Sequence, residues 1–268
     1  MPTSDGASPH LLTERDGHVL TVTLNRPEKK NAFSAEMLVR AYEAWQLLDS
    51  DDELRVGILT GAGGSFCSGM DLKALGGDPD DPWTARFAED DDLHWKALLR
   101  HFRPSKPIIA AVEGYALAGG TEILQATEIR VAGRSARFGV AEVRRGLFPL
   151  GGSTVRLQRQ IPFTVAADLL LTGRDISATE AKEIGLIGHV VDDGQALVKA
   201  REIAELIAAN APLSVRAILA SMRATAELSE ADGLAVELEH GWPVFATEDA
   251  REGPKAFAEK RPPAFKGR

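Results

Sequence analysis

The chain has 268 residues, of which 44% are hydrophobic and 26% charged, enough apolar material for a large folded core. A formal net charge of −8 argues against a general nucleic-acid-binding surface, and one cysteine, Cys67, excludes an internal disulfide and suits a reducing compartment. No apolar run reaches the length of a membrane span and residues 1–9 lack the apolar stretch of a signal peptide, so a cytoplasmic protein is expected, with no nucleic acid and no membrane among its partners.

Residues 1–10 read as disordered. His18 to Leu24 alternates, with Val19, Thr21 and Thr23 on one side and Leu20, Val22 and Leu24 on the other, which predicts a strand stopped by Asn25-Arg26-Pro27. Ser34 is placed to cap a helix over 35–49, where Leu38, Ala41, Trp45 and Leu48 recur at helical spacing. Val56 to Thr60 is a short apolar strand that runs into Gly61-Ala62-Gly63-Gly64. The stretch from Gly76 to Asp92 is rich in Gly, Pro and Asp and reads as a mobile loop, either a solvated connection or a lid using Trp83 and Phe87. A helix is expected over 91–102.

Ile108 to Val112 is the next strand, and it enters the densest part of the sequence: a glycine turn, then a helix from about 119 to 127 with Glu122 in its first turns. Short strands are expected at 129–132, 137–139 and 189–191, and helices around 152–159 and 164–171. Ser177-Ala178-Thr179-Glu180 is a capping box for another helix. Beyond Gln195 the pattern is helical only, with breaks expected at Pro212, Asp232-Gly233 and Pro243. This order predicts an α/β body over 11–195 and a helical subdomain over 196–268.

Common motifs fail on inspection. The run Gly61-Ala62-Gly63-Gly64-Ser65-Phe66 follows a strand like a dinucleotide fingerprint, but Phe66 stands where the third glycine is needed. No serine lies in a Gly-x-Ser-x-Gly elbow, and no His-x-x-x-His or Cys-x-x-Cys pair suggests a metal. His189 reads as structural, and Cys67 as a small packed residue without a histidine partner. What survives is a buried strand, a glycine turn and a helix carrying an acid, which places backbone N–H groups beside a carboxylate and suits proton transfer with oxyanion stabilisation.

Several blocks in order carry a resemblance over nearly the whole chain. They are Asn25-Arg26-Pro27 with Asn31-Ala32-Phe33-Ser34, Phe66-Cys67-Ser68-Gly69-Met70-Asp71-Leu72-Lys73, and Gly114-Tyr115-Ala116-Leu117-Ala118-Gly119-Gly120. Further on come Phe138-Gly139 with Glu142, Gly151-Gly152, and Glu252-Gly253-Pro254 through Lys260-Arg261. The sequence resembles the enoyl-CoA hydratase (crotonase) superfamily, closest in texture to actinobacterial enoyl-CoA hydratases and carnitinyl-CoA dehydratases.

The resemblance implies a crotonase-type spiral of ββα turns with a C-terminal helical trimerisation subdomain, assembled as a homotrimer or a dimer of trimers. It implies an acyl-CoA substrate and no separate cofactor, since coenzyme A is part of the substrate. The oxyanion-hole amides fall on Met70 and Gly119, and the two catalytic acids on Glu122, expected as the base that orients water, and Glu142, expected as the acid that protonates Cα. CoA contacts fall on Ala32, Ser68, Asp71, Leu72 and Lys73, with Lys260 reaching phosphate from a neighbouring subunit. The implied reaction is hydration of a 2-enoyl-CoA in fatty-acid or steroid side-chain breakdown; the alternatives are carnitinyl-CoA dehydration or another crotonase-fold acyl-CoA lyase or isomerase reaction and, in a different class, a catalytically silent acyl-CoA-binding protein. Two departures stand out. Ala118 replaces the first of a common glycine triplet, and Arg144 and Arg145 would lower the pKa of Glu142 if they closed on it.

Overall fold

The computed structural model of the protein describes residues 8–71 and 81–268. Leu72, Lys73 and the first part of the expected loop, 76–80, lie outside the described residues, as do residues 1–7.

An antiparallel hairpin of β1 (Leu11–Asp16) and β2 (Val19–Leu24) starts the fold, and helix α1 (Ala35–Ser50) follows, capped as expected by Ser34, whose side chain accepts from the Met37 amide. Strand β3 (Val56–Gly61) then pairs parallel with β2. Two short helices, α2 (Pro82–Glu89) and α3 (Leu93–Ala97), lead to β4 (Ile108–Val112) and β5 (Tyr115–Leu117). After these come α4 (Gly119–Leu124), β6 (Ile129–Gly133) and β7 (Arg137–Gly139), then α5 (Ser153–Gln160), α6 (Phe163–Thr172), β8 (Asp175–Ser177), α7 (Ala178–Glu183) and β9 (His189–Val191). Only helices follow: α8 (Ala196–Ala208), α9 (Pro212–Thr225), α10 (Glu230–Gly241) and α11 (Glu248–Ala258).

The larger sheet has the order β1-β2-β3-β4-β6-β9, parallel except for the first pair, and a smaller sheet has the order β5-β7-β8. Both faces of the larger sheet are covered, which is why β3 and β4 read as continuous apolar runs. Leu20, Val22 and Leu24 join the cluster under α1, built around Trp45, Leu48 and Phe33. On the opposite face Val19, Val56, Ile58, Ile109 and Val131 pack against Ala196, Ala200, Ala204 and Ala208 of α8. Alanine at every fourth position lets α8 lie close against the strands.

The local readings differ from the structure where short elements depend on partners. Strands β1, β5 and β8 have no alternating pattern long enough to declare them, and they are held by the register of β2 and β7. Part of the expected loop is helix α2: Asp81 caps it by accepting from the Trp83 amide at 3.0 Å, with Pro82 in its first turn. The helix expected over 91–102 is only α3, since the chain turns at Leu99 with φ +55°. Asp232-Gly233 is no break but the first turn of α10, where Ser229 accepts from the Asp232 amide at 3.2 Å. Pro212 opens α9, and Pro243 sits in a tight turn between α10 and α11. His189 lies exposed on edge strand β9. No single helix among the described residues is long and apolar enough to cross a membrane.

Candidate active site

Strand β3 ends in the glycine run, which continues as an irregular loop rather than a helix, so a dinucleotide-binding turn is absent there. Buried Asn31 holds this loop, its amide donating to the Ala62 and Ser65 carbonyls at 2.9 and 2.6 Å while its oxygen accepts from the Arg26 amide. The loop then runs beside β5. Cys67 donates its amide to the Tyr115 carbonyl, and Leu117 donates to the Cys67 carbonyl. One residue pair further on, Phe33 donates to Gly69 and Asp71 donates to Phe33, so the Met70 peptide N–H faces away from residue 33.

The turn from β5 into α4 supplies the opposite wall. Ala118 takes φ +51° and ψ −125°, a conformation almost confined to glycine, and so aims the Gly119 amide out of the helix start. A Cβ placed on Gly69, which has φ +97°, would lie 3.2 Å from the Gly119 nitrogen. The residue before Met70 thus packs against the Gly119 amide, and among the described residues neither the Met70 nor the Gly119 N–H donates to a backbone acceptor. Among the described residues the Gly119 and Gly120 N–H groups at the entrance of α4 have no backbone acceptor, and such a helix start favours negative charge.

Glu122 is buried in this helix and its carboxylate points at the start of α5. The Ser153 amide donates to Oε1 at 3.1 Å, and a Cβ on Gly151 would come within 2.6 Å of Oε2. Burial pushes the carboxyl above its ordinary pKa, opposed by hydrogen bonds from the amides of Ser153, Gly151 and Gly152 and from the Ser153 side chain. Glu142 arrives from the smaller sheet. The Gly139 amide donates to the Thr121 hydroxyl and its carbonyl accepts from Ala118, which fixes the end of β7 against α4. The chain then turns, and Glu142 opens a short 3-10 turn, Glu142–Arg145. Its Oε2 is buried without a partner among the described residues. Burial first, and the Glu122 charge second, push its pKa up to about 7. Arg144 does not lower it: that side chain runs past Gly173 toward Asp175.

The remaining sequence-predicted residues divide into two groups. Ala32, Ser68 and Asp71 lie on the two loop segments beside Met70, tied by Arg26, which reaches the Ala32 carbonyl at 2.8 Å and the Asp71 carboxylate at 3.1 Å. Ser68 is anchored to the Lys29 and Lys30 carbonyls, and Lys30 lies 4.6 Å above the Tyr115 ring. Lys260 instead sits past the end of α11 on the helical tail. Cys67 is fully buried and its thiol is pushed up to about 12 by desolvation, as its reading as a packed residue requires. Glu128 is tied to Arg103, Arg223 and the Ile108 amide, a structural place. Among the described residues no cluster of three or more His, Cys, Asp or Glu could hold a metal ion.

The profile of the enoyl-CoA hydratase/isomerase family matches residues 14–268. The chain belongs to that family. It is 55% identical over 262 residues to enoyl-CoA hydratase EchA19 of Mycobacterium tuberculosis, with 98% of each chain covered. It is 38% identical over 268 residues to carnitinyl-CoA dehydratase of Salmonella typhi, covering 97% of this chain and all of the relative. A solved enoyl-CoA hydratase of Mycobacterium tuberculosis superposes with a TM-score of 0.88 at 41% identity, covering 97% of this chain and 100% of that one. The fold is thus of the crotonase type, as the sequence led one to expect.

Ser153 and Gln125, which support Glu122, were not singled out from sequence. Gly-Gly-Ser before a helix is a recognisable start signal, and Gln125 lies three residues after Glu122, so the two share a helix face.

Proposed function

We propose that this hydro-lyase adds water reversibly across the 2,3 double bond of a 2-enoyl-CoA thioester, with Glu122 and Glu142 as its proton-transfer pair. The carrying observation is the unequal surroundings of two neighbouring carboxyls. Glu122 meets several amides at the start of α5, whereas half-buried Glu142 has a carboxyl oxygen without a partner among the described residues and a pKa pushed up to about 7. Environments that differ in this way assign the ionised and the protonated member of a pair.

In the hydration direction Glu122 accepts a proton from water as the water oxygen bonds to Cβ. The π electrons move toward Cα and the thioester oxygen, where negative charge develops between the Met70 and Gly119 amides. Glu142 then delivers its proton to Cα. One C–O and one C–H bond form, one π bond is lost, and the proton returns from Glu122 to Glu142 through solvent or product exchange. Oriented amide donors of this kind are worth on the order of 10²–10³ in rate each, and positioned acid–base groups about 10²–10⁴.

Ala32, Ser68, Asp71, Leu72 and Lys73 are the residues proposed to contact CoA, with the CoA moiety arriving as part of the substrate and no separate cofactor. The tail over 196–268 is the proposed assembly domain of a homotrimer or dimer of trimers. Phe257 and Phe245 stand 85% and 73% exposed there, with Trp242, Met222 and Ile218 also bare, an apolar area that a neighbour would cover and that would bring Lys260 to another subunit's site. The lone, buried cysteine fits a cytoplasmic setting. The carnitinyl-CoA dehydratase relative keeps dehydration of a hydroxyacyl-CoA as the second reading.

The test is loss of enoyl-thioester absorbance on mixing with crotonyl-CoA and with longer enoyl-CoAs. Glu122→Gln and Glu142→Gln should each remove most turnover while product-CoA binding stays nearly intact. Near-normal turnover in both would remove this mechanism, and binding without turnover in the parent protein would instead mark a silent acyl-CoA-binding protein.

A further inference from the structure

Ser153 is fully buried and Gln125 is 2% exposed, so their polar atoms depend on partners inside the protein, and Gln125 Oε1 has none among the described residues. Gln125 Nε2 donates to Ser153 Oγ at 2.8 Å. The backbone carbonyl of the same glutamine is taken up by Arg130 and Gln160, which fixes the end of α4 independently of the side chain. A serine hydroxyl that accepts from an amide NH2 has its own proton left to give, and the Glu122 carboxyl, in contact with the Ser153 backbone, is the acidic group beside it. The Ser153 amide donates to that carboxyl as well, at 3.1 Å.

We infer that Gln125 and Ser153 are positioning residues that fix the direction of the Ser153 hydroxyl and thereby hold Glu122 as an oriented, proton-accepting carboxylate. The inference rests on the proposed role of Glu122. The direction of the Gln125 amide decides the outcome. With NH2 toward Ser153, the hydroxyl donates to Glu122 and favours its charged form. With the carbonyl toward Ser153, that proton would be drawn away and Glu122 would keep only its backbone donors. The groups facing Glu122 from other elements are Glu142 on the turn after β7, which repels its charge, and Arg156 on α5, which attracts it. Neither depends on Ser153 for its orientation: Arg156 is held by the Leu99 carbonyl at 2.7 Å.

The experiment is the pH profile of kcat/KM, with KM and kcat separated, for Ser153→Ala, Ser153→Thr, Gln125→Leu and, as a reference, Glu122→Gln. Removing the hydroxyl in Ser153→Ala should move the acidic limb upward by about one pH unit, as loss of one hydrogen bond to a charged group does, with kcat down about tenfold and KM within about twofold. Gln125→Leu should shift the limb the same way, and Ser153→Thr, which keeps the hydroxyl, should restore most of the parent profile. Unshifted limbs in both Ser153→Ala and Gln125→Leu would overturn the inference, as would a uniform loss at every pH that threonine fails to rescue. If Glu122→Gln keeps near-normal turnover, the reading of Glu122 itself fails; if it abolishes turnover while the limbs of Ser153→Ala and Gln125→Leu stay put, only the positioning role of Ser153 and Gln125 fails.

Discussion

Gly151 stands so close to Glu122 that a single methyl group on it would lie 2.6 Å from Oε2 and 2.8 Å from Cδ of the carboxyl. The absence of a side chain at 151 is thus part of the shape of the site. Gly151→Ala is expected to push the Glu122 carboxyl off its seat at the start of α5 while leaving the buried core intact. A misplaced reacting group costs on the order of 10²-fold in rate, so kcat should fall by about that factor with the circular-dichroism spectrum unchanged. Unaltered kcat would show that the carboxyl position at 151 does not matter.

The paired carboxyls set the pH dependence. Both are raised, and in the proposed mechanism turnover needs the pair to hold one proton, on Glu142. The profile of kcat/KM should therefore rise as Glu122 loses its proton and fall through about 7 as Glu142 loses its own. The two limbs belong to the pair as a unit, and a plateau from pH 6 to pH 9 would contradict the assignment.

Stability should carry the same signature with a definite sign. Glu142 has a folded pKa of about 7, above its ordinary 4.5, so its favourable contribution is complete below 4.5 and is lost as pH climbs through 7. Glu142→Gln removes the cost of burying charge. Its Tm relative to the parent should climb between pH 4.5 and pH 7 and then level off. A constant difference across that window would mean that Glu142 is solvated in the folded state.

Ala118 holds a backbone shape that its methyl group opposes, with φ +51° and ψ −125°. Ala118→Gly should relieve strain of about 1–3 kcal/mol, less the entropy that glycine adds to the unfolded chain, for a net gain of about 1 kcal/mol in denaturant unfolding. A loss of stability would show that methyl packing at 118 outweighs the strain.

Cys67 offers a simpler check. A buried thiol pushed up to about 12 should resist alkylation in the native protein and react only after denaturation. Rapid labelling of the folded enzyme at pH 8 would contradict the packing around β5.

Much of this was legible beforehand where the signal is local. Strands β3 and β4 show as apolar runs, Ser34 and Ser177 announce their helices, and the blocks around Met70, Gly119 and Glu142 identify the family. What stayed hidden depends on long-range pairing. Strand β5 exists because β7 and the Cys67 loop supply its hydrogen bonds, and nothing within Tyr115-Ala116-Leu117 demands a strand. Helix α2 was hidden for a different reason: the Asp and Pro that look like loop punctuation are its cap and first residue. The support of Glu122 comes from α5, remote in sequence, so the glycines at 151 and 152 were visible while their purpose was not.

The run of parallel neighbours in the larger sheet governs how this enzyme comes into being. Only β1 and β2 can zip up as a hairpin; β3, β4, β6 and β9 each wait for an intervening stretch of chain to be threaded and docked. The two acids ride on segments delivered by separate crossovers, so after dilution from denaturant, hydratase turnover should return only with the slowest spectroscopic phase, well after most helix has formed.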